Sequence, residues 1–69
     1  MNIEAKVSLI NSQIAMFYAE KAVMDAANVE RARKNLSQAY IDKDYETLYK
    51  RYEPVLGYNA VVWYLFHEV

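Results

Sequence analysis

The chain has no cysteine, a single histidine, and one proline and one glycine that both fall late, at Pro54 and Gly57. Without cysteine there is no disulfide and no thiolate metal site. His67 alone cannot build an imidazole cluster, so no metal and no cofactor is implied. The charges nearly cancel, at a formal net charge of -1, which removes the basic excess expected of a nucleic-acid binder. No apolar run approaches the roughly 18 residues of a membrane span. The opening, Met1-Asn2-Ile3-Glu4-Ala5-Lys6, lacks the basic start and apolar run of a signal peptide. By elimination the expected location is cytoplasmic.

What is present is helical spacing. The first 53 residues contain neither glycine nor proline, the two residues that most disfavour a helix interior. Ile3, Val7, Ile10, Ile14, Phe17 and Met24 recur at intervals of three and four, interrupted only by Lys21, and predict one buried face. Leu9, Met16 and Val23 form a second line at intervals of seven, roughly 130° around the helix at 100° per residue. One seam docks a helix onto its own hairpin partner. A second predicts another neighbour, and we expect that neighbour to be a second copy packed on Leu9, Met16 and Val23.

Val29, Ala32, Leu36 and Ala39 continue the pattern, so the first helix is expected to run on to about Ile41. Asn28 and Asn35 are weak helix formers that allow a bend. Glu30 and Lys34, and later Glu46 and Lys50, stand in the favourable order for helical ion pairs. Asp42-Lys43-Asp44 reads as the first stop, with Asp44 as N-cap of a second helix that presents Tyr45, Leu48 and Tyr52 to a packed seam. Glu53-Pro54 predicts a kink or a new first turn, and Gly57-Tyr58-Asn59 a helix end followed by an N-cap. Residues 60–69 have strand propensity in Val61, Val62, Trp63, Tyr64 and Phe66. A lone strand would lack a partner, so a helix is expected.

The segment LSQAYIDKDYETLYKRYEPVLGYNAVVWY, residues 36–64, resembles a tetratricopeptide repeat passing into the first helix of the next. The likeness lies in Leu36, Ala39-Tyr40, Asp44-Tyr45, Tyr52 and Trp63-Tyr64. It departs at Asp42-Lys43, where the turn glycine is missing, and at Leu48, where a small residue is usual. A solenoid needs about three repeats, so the resemblance implies helix-turn-helix grammar and carries over no functional residue.

The fold expected is therefore all-α: one domain over residues 1–69, an antiparallel helical hairpin with a long N-terminal helix and a broken C-terminal arm, dimerising into a bundle. Sixty-nine residues form a marginal core, and self-association is the remaining route to stability.

Eight of the ten aromatics crowd the second half of the chain, from Tyr40 onward. Tyr and Trp combine rigid apolar area with a polar tip and serve both cores and binding hot spots. Tyr40, Tyr49, Arg51, Tyr52 and Trp63 are the expected partner anchors. Asp42, Asp44 and Glu46 echo a calcium loop but lack its glycine and distal glutamate. Arg31, Arg33 and Lys34 are interspersed with acids, the pattern of a solvated face. Ser8, Ser12 and Ser37 lie in no nucleophile motif. The reading is a small non-enzymatic regulatory or adaptor protein acting by protein-protein binding. A phage or mobile-element inhibitor of a host protein fits that size. The alternatives are a nucleic-acid-binding helical dimer and a structural subunit of a larger assembly.

Overall fold

The computed structural model describes residues 1–67. Among them are three helices and no strand: α1 (Ile3–Arg33), α2 (Asp42–Leu56) and α3 (Tyr58–Phe66). The final two residues of the C-terminal segment expected to be helical lie outside the described residues.

Helix α1 begins where Asn2 caps it. The Asn2 side-chain oxygen accepts from the Ala5 amide at 2.8 Å, and Glu4 places an anion in the first turn. The helix ends eight residues before the expected point. Asn35 adopts φ 56°, the left-handed region that Asn tolerates better than other non-glycine residues. Its amide donates to the Ala32 carbonyl at 3.1 Å and the Leu36 amide to the Arg31 carbonyl at 2.9 Å. These two bonds form a Schellman cap, which satisfies helix-end carbonyls without glycine. The Arg31 guanidinium adds a 2.6 Å bond to the Ser37 carbonyl and ties the outgoing chain to the helix.

Residues 34–41 are thus a connection, where the tetratricopeptide likeness required helix. Its return is fixed by Asn28. That side chain accepts from the Tyr40 amide and donates to the Tyr40 carbonyl, both at 2.9 Å, as a strand neighbour would. The same amide nitrogen donates to the Tyr45 hydroxyl at 3.1 Å.

The cap of α2 is Ile41, in extended conformation, and not Asp44. Asp44 is the third helical residue and accepts from the Ile41 amide at 2.9 Å, one half of a capping box. Pro54 lies inside α2 without starting a new helix. The break comes at Gly57, which caps the end of α2 and the start of α3. Its amide donates to the Glu53 carbonyl at 2.8 Å, and its carbonyl accepts from the Val61 amide at 3.0 Å. A Cβ there would stand 2.7 Å from the Glu53 carbonyl oxygen, so glycine is needed for close approach and not for an unusual φ.

The arm of α2 and α3 returns antiparallel along α1. Tyr45 bonds Asp25, Arg51 bonds Glu20, and Lys6 near the start of α1 bonds the His67 carbonyl. Leu48 and Tyr52 are buried, as the seam on α2 predicts. The Tyr52 ring meets Phe17 edge-on at 5.4 Å. On α1 the covered face is rotated from the expected stripe. Lys6 is buried and Ile10, Gln13, Phe17, Lys21 and Met24 are half-covered, while Ile3, Val7 and Ile14 stay exposed.

The result is a slab. Its extents are 51 × 19 × 12 Å, and the Cα radius of gyration is 15.8 Å against about 11 Å for a compact chain of this length. Little of the chain is enclosed: among the described residues only Lys6, Leu48 and Tyr52 are buried. Domains normally enclose a hydrophobic core between packed elements, and here that core is reduced to Leu48, Tyr52 and the half-covered side chains around them.

Candidate functional site

The side of α1 turned away from the arm is unusually bare of charge. From residue 7 to residue 29 the only charged residues are Glu20, Lys21 and Asp25. All three are engaged. The Arg51 guanidinium meets Glu20 at 3.0 Å, the Lys21 ammonium meets Asp25 at 2.9 Å, and the Tyr45 hydroxyl donates to Asp25 at 2.7 Å. These bonds act on the acidities. The Tyr45 hydroxyl and then Lys21 hold the Asp25 carboxyl below its ordinary value. Asp25 in turn raises both Tyr45 and Lys21. A hydrogen bond to Glu20, followed by burial, raises the Tyr52 phenol.

With its charges drawn to the arm, α1 shows solvent an apolar surface. Leu9, Met16 and Val23, the expected dimer line, are 47%, 55% and 66% exposed. Leu9 also lines a groove of about 450 Å³ between α1 and the arm, walled by Ile10, Gln13, Pro54, Val55, Trp63 and Tyr64. The groove brings one residue of the dimer line and one expected anchor, Trp63, onto the same side of the molecule. Trp63 is exposed on that side and stacks on the His67 ring at 4.5 Å.

The other anchors are dispersed. Arg51 is exposed beside Glu20. Tyr49 is exposed, with its ring 5.7 Å from Phe17. Tyr40 is half-buried and held through its backbone by Asn28. Tyr52 is in the core: its ring packs on Phe17, so in this fold it supports the surface from beneath.

Lys6 was invisible as a positioning residue. It is 4% exposed, with its ammonium 5.7 Å from the Tyr64 ring centroid and bonded to the His67 carbonyl. Ring face and carbonyl oxygen both carry negative potential, which makes this a place for a cation. Its partners lie at the far end of the chain, and no local pattern announces them. Among the described residues no group of His, Asp and Glu is arranged to hold a metal ion, and no helix is long and apolar enough to cross a membrane. No family model, curated protein or solved structure matches the chain.

Proposed function

We propose that this chain is a small regulatory or adaptor protein that acts by binding other proteins, working as a homodimer built on the Leu9, Met16 and Val23 side of α1. One observation carries the reading. With only Lys6, Leu48 and Tyr52 buried among the described residues, large apolar side chains stay exposed on α1 between residues 7 and 29, on a side that carries no charge, and helices that are apolar all round are normally covered. The exposed aromatic and arginine residues of the arm supply the second element, because Tyr, Trp and Arg dominate binding hot spots. Tyr49, Arg51 and Trp63 are the anchors in this reading. The nucleic-acid alternative draws less support: Arg31 is tied to the Ser37 carbonyl and Lys34 to Glu30.

The test is an Arg51→Ala/Trp63→Ala variant. Both side chains are exposed, and the one ion pair lost is a surface pair, worth about 0–1 kcal/mol. With the wild type immobilised in lysate of its native host, a specific protein should be retained, and the variant should lose it while melting within a few degrees of wild type. Equal retention by both would remove these residues from the binding surface, and absence of any retained protein would refute the adaptor reading.

A further inference from the structure

Resting on the homodimer reading above, we infer that the second copy packs antiparallel along α1, with a row of small residues on each helix receiving the row of large ones on the other. Beside Leu9, Met16 and Val23 runs a row offset by three and four: Ala5, Ser12, Ala19 and Ala26. Together they make an uninterrupted heptad seam in which one core position is always large and the other always small. Ser12, Ala19 and Ala26 are exposed and Ala5 half-covered. The one hydroxyl in the row is already satisfied, since Ser12 donates to the Ser8 carbonyl at 3.1 Å. It can leave water without an orphaned donor.

The alternation decides orientation. In a parallel pair, equal positions meet, so layers of two large side chains would alternate with layers of two small ones and leave gaps. In an antiparallel pair each layer joins one position of each kind, so the layers from Leu9 to Ala26 each hold one large and one small residue, while the outermost small residue, Ala5, falls opposite Glu30 of the second copy. Cores pack to near-crystalline density and tolerate voids poorly, so the antiparallel pair is favoured. In the register that overlaps α1 over its full length, Leu9 meets Ala26 of the second copy, Met16 meets Ala19, and Val23 meets Ser12. No charge lies in these layers, and neither copy repels the other there.

The chain exposes 5476 Å², whereas a compact monomer of 8.1 kDa exposes roughly 4500 Å². The excess, about 1000 Å², belongs to the whole elongated molecule, and the exposed apolar stretch of α1 is one part of it; a standard interface covers roughly 800 Å² of each partner. Pairing two copies across α1 would also enlarge a core that the single chain confines to Leu48 and Tyr52.

The absence of native cysteine makes the test clean. Light scattering on the full chain should give twice the monomer mass of 8.1 kDa. Ala19→Glu, at an exposed helix position, should halve that mass. Under mild oxidation Val23→Cys alone should not cross-link, because its counterpart lies about 16 Å away along the axis at 1.5 Å per residue, beyond disulfide reach. Mixed with Ser12→Cys it should cross-link. A disulfide in Val23→Cys alone would show a parallel pair and overturn this inference while leaving the dimer standing. A dimer that yields neither cross-link, or that Ala19→Glu leaves intact, places the seam elsewhere and overturns it as well. A wild-type monomer with the same helicity would overturn both the inference and the dimer reading beneath it.

Discussion

Asn28→Ala separates two accounts of one residue by the sign of its effect. On helix propensity alone the substitution is favourable, by up to about 0.7 kcal/mol. The structure instead gives Asn28 three hydrogen bonds, two to the backbone of Tyr40 at 2.9 Å and one to the Tyr45 hydroxyl at 3.1 Å. Each is worth about 0.5–1.5 kcal/mol net. The site is only partly buried, so water recovers some of this, and about 2 kcal/mol is a reasonable gross loss. Less the propensity gain, the variant should be destabilised by about 1–1.5 kcal/mol. With a urea m-value of about 1 kcal/mol/M for a small chain, the midpoint should fall by about 1 M. The assay is urea unfolding followed by helical circular dichroism, with both proteins at one fixed concentration so that self-association does not enter the difference. A midpoint that rises or stays put would refute the claim that Asn28 holds the return of the chain.

Two further outcomes follow from the same geometry. Gly57→Ala should destabilise by about 1–3 kcal/mol although its φ of -60° suits alanine, because the new Cβ meets the Glu53 carbonyl oxygen at 2.7 Å; an unchanged melting temperature would refute the close-approach argument. The Asp25 network sets stability at both ends of the pH scale. Asp25 is depressed, so its contribution is present above its ordinary value of 3.8 and is lost as pH falls further. Tyr45 and Lys21 are raised, so theirs is complete below about pH 10 and is lost as pH climbs through the shifted values. Asp25→Asn/Tyr45→Phe should flatten both limbs in a melting-temperature series, and a profile unaltered by the pair would refute the network.

Much of the fold is legible in the residues. The lack of early glycine and proline gives the long helix, the spacing of Leu48 and Tyr52 picks out the buried face of α2, and both ion pairs expected from i,i+4 order are formed. Helix also prevails over strand propensity through Phe66, because a strand there would have no neighbour. Two features were not legible, for different reasons. The end of α1 depends on a single left-handed residue, and Asn35 carries that geometry without the glycine that usually signals it. The orientation of α1 depends on polar docking. Apolar residues lie all around that helix, so periodicity alone selects no face. Asp25, Asn28 and Lys6 make the choice through bonds to Tyr45, Tyr40 and His67, whose positions only the folded chain defines. For the candidate surface, the period of seven sets Leu9, Met16 and Val23 apart as a line but does not say what covers it, and the groove beside Trp63 required knowing where Pro54 and Val55 come to rest.

Because α1 is clasped along one edge and bare along another, holding the shape and meeting a neighbour fall to disjoint sets of side chains. Ile10, Phe17 and Met24 serve the first task; Leu9, Met16 and Val23 are available for the second. A substitution at Met16 or Val23 alters what the molecule can adhere to without removing a contact between α1 and the arm, so this helix is suited to acquiring new associates by small steps.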